Sequence, residues 1–259
     1  MRDNSEACES SSPKGLRRRT FMLQAVGVAA MLPVRGGDGV AGAAALGEPP
    51  PAASAVGASV SAQPANAGYT LLGPEEAAFV EALVNVMCPA DSLTPNGTDC
   101  GLAVYIDRQL AGDFGKGGRL YSQGPWLQGK PQQGYQLPMK PAEFFKAGVA
   151  AARKAAQARH GIVFEQLSSI DADAFLIDVA GDNVPDERLS LADWFSQLVY
   201  PLFQQACFAD PVHGGNRDKV FWKLIGYPGL PAFHAQDMVR YRGKPFPGAQ
   251  RPQSIQDFS

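Results

Sequence analysis

The sequence predicts an all-α protein. It has a single helical domain over residues 69–259, with long Pro/Gly-rich connecting loops and an extended C-terminal arm, behind a leader at residues 1–68. Three observations carry this. Apolar residues recur at helical spacing behind recognisable start signals, segment after segment. No run alternates apolar and polar residues convincingly enough to make strands. Residues 1–68, rich in Ala, Gly, Ser and Pro, hold too little apolar surface to offset the entropy of ordering them.

The first helix begins at Gly73-Pro74-Glu75-Glu76, where Pro suits the first helical position and two glutamates favour the positive end of the helix dipole. Phe79, Val80, Leu83, Val84 and Met87 form its apolar stripe, and Pro89 stops it. A second helix, from about Leu102 to Leu110, buries Leu102, Tyr105, Ile106 and Leu110. The third, from about Pro141 to Arg159, turns Phe144, Phe145, Gly148, Val149 and Ala152 inward and Lys146, Arg153 and Lys154 outward. Ser168 with Asp171 reads as an N-cap for a short helix through Val179. Ser190 with Asp193 repeats that signature ahead of Trp194, Leu198, Leu202 and Phe203; Pro201 predicts a kink or break near Tyr200. The last helix is expected from Arg217 to Ile225, ended by Gly226.

The leader has the order of an export signal: the basic cluster Arg17-Arg18-Arg19, a weakly apolar stretch from Phe21 to Leu32, then small residues. Arg18, Arg19 and Phe21 fit the twin-arginine pattern of the Tat route, which carries folded proteins. At about 12 residues the apolar run is too short to span a bilayer. Cleavage is expected after Ala62 or after Ala67. Removing residues 1–62 takes away six basic and five acidic residues, leaving a formal net charge of −3. Near-neutrality without a basic stripe gives no electrostatic case for nucleic acid or anionic lipid.

A search for chemistry of the chain's own ends empty. Gly37-Asp38-Gly39-Val40-Ala41-Gly42 has dinucleotide-loop spacing, but it lies in the leader with no strand before it and no helix after it. Gly112 to Gly118 lacks the Gly-Lys-Ser/Thr ending of a phosphate loop. The three histidines, His160, His213 and His234, have no metal-ligand spacing, and no c-type haem motif occurs. Asp171 and Asp173 sit on a first helical turn, where they complement its dipole. No catalytic, cofactor or metal residue is assigned.

Cys8 lies in the leader, leaving Cys88, Cys100 and Cys207. In an oxidising compartment, a Cys88–Cys100 disulfide would staple the turn between the first two helices, for roughly 3 kcal/mol in the chain-entropy model. Cys88–Cys207, Cys100–Cys207 and three free thiols stay open. Two segments depart from core patterning. Residues 111–140 form a glycine-rich stretch with isolated aromatics (Phe114, Tyr121, Trp126 and Tyr135), too long for an idle loop in a compact domain. Such an arm suits anchoring in pockets of a partner, or covering the chain's own helices. The stretch after Gly226 is proline-rich and reads as extended.

The string Ala209-Asp210-Pro211-Val212-His213-Gly214-Gly215-Asn216-Arg217-Asp218, running on to Trp222-Lys223-Leu224-Ile225-Gly226-Tyr227-Pro228-Gly229, resembles the signature of the gluconate 2-dehydrogenase subunit 3 family. Weaker likeness covers Leu83 to Asp91, Tyr105 to Leu110, Gly124-Pro125 and Gly134-Tyr135-Gln136. The resemblance implies a small subunit beside an FAD-holding large subunit of the glucose–methanol–choline type and a multihaem cytochrome c subunit, oxidising sugars, polyols or sugar acids. It implies a periplasmic place at the inner membrane, reached through the Tat translocon, with no cofactor in this chain. Candidate interface residues are Tyr121, Trp126, Tyr135, Gly214, Gly215, Asn216, Arg217, Asp218 and Trp222. Gly214-Gly215 suits a tight turn, and Asn216 can cap the helix starting at Arg217. Two rivals are a self-sufficient periplasmic enzyme using Asp210, His213 and Asp218, and a transient export chaperone.

Overall fold

The computed structural model describes residues 68–258 except Arg119, Ser122, Gln128, Pro131, Gln132 and Ala232. The twin-arginine cluster with Arg18, Arg19 and Phe21 lies outside the described residues. The described part is helical and contains no sheet, as the periodicity predicts. Its helices are α1 (Pro74–Met87), α2 (Leu102–Ala111), α3 (Pro141–His160), α4 (Ser169–Ala180), α5 (Leu191–Trp194), α6 (Tyr200–Phe208), α7 (Val220–Ile225) and α8 (Ala235–Arg240).

The helix starts use the chemistry expected of them. Glu76 Oε2 accepts from the Gly73 N–H at 2.8 Å, and Glu143 Oε2 from the Lys140 N–H at 3.0 Å, so α1 and α3 each fold a glutamate back onto their own entry. Ser168 and Ser190 Oγ accept from the Asp171 and Asp193 N–H groups at 3.2 and 3.0 Å. Gly161, at φ 76°, ends α3 in the left-handed conformation that costs glycine least.

Trp194 is the centre of the core. Fully buried, it lies 6.3 Å from the Phe79 ring and 6.1 Å from Phe145, and Phe164 bridges Phe79 and Phe175 at 4.7 and 5.8 Å. The indole donates to the Phe145 carbonyl at 3.2 Å, so its one polar atom is satisfied indoors. Gly148 on α3 makes the room: a Cβ there would stand 2.1 Å from Trp194 Nε1. Phe164 reaches this core from a 3₁₀ turn, Phe164–Gln166, that the helical periodicity did not predict.

Pro201 does not break its helix, but the regular α-helical pattern is interrupted just before Tyr200. Between α5 and α6 the chain runs through a π-helical segment, Phe195–Val199, and enters α6 with helical dihedrals at Val199 and Tyr200. The wider π turn shifts the hydrogen-bond register, so the proline falls at the second position of α6, where its missing N–H is tolerated.

A buried carboxylate fixes the chain's entry into the domain. Asp107, 2 % exposed on α2, accepts from the Thr70, Leu71 and Leu72 N–H groups at 2.7, 2.9 and 3.0 Å. Next to it, Tyr69 donates to Glu81 at 2.6 Å; burial and that carboxylate hold the phenol protonated far above its usual range. Lys146 Nζ donates to the Leu71 carbonyl at 3.0 Å.

Candidate partner interface

The glycine-rich turn between α1 and α2 is closed by backbone hydrogen bonds, Gly97 N–H to the Cys88 carbonyl at 2.9 Å and Cys100 N–H to the Asn96 carbonyl at 3.0 Å. Cys88, Cys100 and Cys207 are buried free thiols, so the expected Cys88–Cys100 staple is absent. Cys88 and Cys100 Sγ both reach the Pro95 carbonyl, at 3.7 Å each. The neighbouring Cys100 thiol lowers the pKa of Cys88, while hydrogen bonding to Cys88 and then burial raise that of Cys100. Burial likewise raises the Cys207 thiol.

The Ala209–Gly229 string packs on this turn. A Cβ on Gly101 (φ 78°) would sit 2.2 Å from the Gly214 carbonyl oxygen, and one on Gly215 would sit 2.4 Å from the Ala206 carbonyl oxygen. The two backbones therefore meet with no side chain between them. Arg217 donates its N–H to the Cys100 carbonyl at 3.0 Å and its guanidinium to the Asp99 carbonyl at 3.2 Å. Asn216, fully buried with φ 45°, donates to the Ala209 carbonyl at 3.1 Å and accepts from the Phe221 N–H at 3.0 Å. It does cap the last predicted helix, but from further upstream than expected. A 3₁₀ turn, Arg217–Lys219, intervenes with Asp218 and Lys219 left-handed, and α7 starts only at Val220.

Trp222 is buried, donates to the Phe208 carbonyl at 2.8 Å and meets Tyr227 edge-on at 5.1 Å. Gly215, Asn216 and Trp222 thus serve the chain's own packing, Gly214 and Arg217 are half-buried in it, and Asp218 is exposed. The C-terminal stretch is not an outstretched arm. It returns through Leu230 N–H to the Gln253 carbonyl (2.8 Å) and Gln253 N–H to the Pro228 carbonyl (2.9 Å), then ties down by the Lys219–Asp257 ion pair at 2.5 Å. That pair and the Ser254 N–H hold the Asp257 carboxyl below its usual range.

The long loop behaves differently. Between α2 and α3 it forms an open groove of about 640 Å³ lined by Lys116, Tyr121, Trp126, Tyr135, Met139 and Lys140, among others. Tyr121 is 79 % exposed and Trp126 36 %, and Leu120 and Leu127 are exposed beside them. Tyr135 anchors the groove floor: its ring lies 4.3 Å from Phe144 and its hydroxyl donates to the Met139 carbonyl at 3.3 Å. Burial and the Glu143 charge push that phenol up to about 12. Of the aromatics singled out in the sequence, Tyr121 and Trp126 face outward and Tyr135 is half inside.

His213 and Asp218 are both exposed. Asp210 is committed to the Val212 and Ile255 N–H groups at 3.0 Å each. Among the described residues, no three His, Cys, Asp or Glu side chains are placed to hold a metal ion, and no helix is long and apolar enough to cross a membrane.

These features describe a helical domain with a closed core, a signature string that buries Gly215, Asn216 and Trp222 but exposes Leu224, Ile225 and Tyr227, and an aromatic groove left open. The family model for gluconate 2-dehydrogenase subunit 3 matches residues 74–229, and the chain belongs to that family, a subunit of a dehydrogenase complex. Neither a curated protein nor a solved structure matches the chain.

Proposed function

We propose that the chain is a non-catalytic accessory subunit that carries a twin-arginine export signal and escorts a signal-less FAD-holding large subunit to the periplasm. There it stays bound, alongside a multihaem cytochrome c subunit, in a complex oxidising sugars, polyols or sugar acids. The observation that carries this is the groove loop. Tyr121, Trp126 and Leu127 stand exposed on a segment the core does not need, and aromatics of this kind are the residues that dominate the energetics of protein interfaces. Family membership supplies the dehydrogenase complex in which a partner surface would exist. The commitment of Asp210 to two backbone N–H groups speaks against the rival reading of a hydrolytic site at His213.

The test is to tag the chain in its native host, purify it from periplasmic and membrane fractions, and assay the eluate with a sugar panel and an artificial electron acceptor. A yellow, dye-reducing complex with a larger second chain is the expected result. A colourless single chain would sink the stable-subunit reading and favour a transient chaperone.

A further inference from the structure

We propose that the tip of the C-terminal stretch, from Phe233 to Lys244, is a docking surface for an anionic lipid bilayer. The tip is a built platform. His234 begins α8 with Nδ1 3.2 Å from Asp237 Oδ2 and Nε2 3.2 Å from the Gly229 carbonyl, and Phe246 packs on His234 and Tyr241 at 5.9 and 5.2 Å. From this platform three apolar side chains project into solvent: Phe233 at 82 % exposure, Met238 at 70 % and Val239 at 79 %. Burying such groups is favourable, and nothing among the described residues covers them.

Charge decides the occupant. Arg240, Arg242 and Lys244 follow within a few residues, all exposed and none in an ion pair among the described residues. Arg240 lies over the Tyr241 ring, 5.5 Å from its centroid. The one acid in the stretch, Asp237, is already engaged by His234. The whole-chain charge of −2 conceals this local basic cluster, which is why composition alone gave no case for lipid. Protruding apolar tips beside basic side chains match the interface of an anionic membrane, where apolar groups enter the acyl boundary and Arg or Lys stay at the headgroups. Each basic residue near such a surface contributes roughly fivefold in partitioning. The inference uses residues distinct from the groove loop and does not require the escort reading.

The test is flotation of the full chain with vesicles of phosphatidylglycerol and phosphatidylethanolamine, against phosphatidylcholine alone. Arg17, Arg18 and Arg19 are replaced by Gln throughout, to silence the chain's other basic cluster. Binding to anionic vesicles only is expected. It should fall by roughly a hundredfold in R240Q/R242Q/K244Q, and F233S/V239S should lose the part that survives high salt. These side chains are exposed, so unchanged thermal unfolding of both variants confirms that the fold is intact. Equal flotation with both lipids, or variants that float like the parent, overturns the proposal. So does a charge variant that keeps its vesicle binding but no longer co-purifies with a larger chain, since the tip would then be a protein interface.

Discussion

At Gly148 one hydrogen atom stands where any other residue would put a carbon into the indole of Trp194. Gly148→Ala is expected to cost about 3 kcal/mol by forcing that ring off its rotamer, read as a lower urea midpoint at unchanged slope. Asn216 is a second such position, because its buried amide satisfies two backbone groups, one of them, the Phe221 N–H, in a buried hydrogen bond. Asn216→Ala should cost about 2 kcal/mol, measured in the same way, whereas Asp218→Ala, exposed but at φ 57°, should cost about 1 kcal/mol because alanine fits the left-handed conformation less well than aspartate. The sequence made Gly148 legible as an inward position of its helix but not as the partner of Trp194, since the two are brought together only by tertiary packing. Asp107 carries no mark of its burial in the sequence, where it stands only within the Tyr105 to Leu110 stretch of family likeness. Its partners are backbone N–H groups far away in the chain, which no residue pattern marks.

Among the elements, those with both a cap and an apolar stripe were legible, and α1 to α4 fall within a residue or two of expectation. The failures share a cause. The π segment before Pro201, the 3₁₀ turn before α7 and the existence of α8 all depend on hydrogen-bond register or on distant partners rather than on periodicity. For α8 the partner is titratable. Both ring nitrogens of His234 face acceptors, so the imidazolium is the form that fits, and Asp237 followed by the Gly229 carbonyl raises its pKa. With the folded pKa above the unfolded one, this contribution is complete below about pH 6.5 and is lost as pH rises through the raised value. Protection of the α8 amides, their exchange measured against the intrinsic rate at each pH, is therefore expected to fall as pH rises above about 6.5, and His234→Gln should abolish that fall.

For the whole molecule, the closed core and the open groove should separate by mutation. Tyr121→Ala with Trp126→Ala is expected to leave unfolding unchanged while weakening recovery of the larger chain by at least thirtyfold, the scale of a lost hot spot. Titration of the tagged variant against the purified complex partner would measure it. The family string illustrates how far sequence reaches: it named the family, yet it does not mark which of its residues pack inward, as Asn216 and Trp222 do, and which stay exposed, as Leu224, Ile225 and Tyr227 do. Asp107 has an effect beyond its own helix. By gripping residues 70–72 it would act as a ruler for a peptidase that trims the leader after folding, because such an enzyme draws the chain into an extended register on both sides of its cut. A cut after Ala67 would need part of the gripped segment, and a cut after Ala62 would not. On the proposed export route the trimmed protein should begin at Gln63, as intact mass would read, and Asp107→Ala should blur that single start into a mixture.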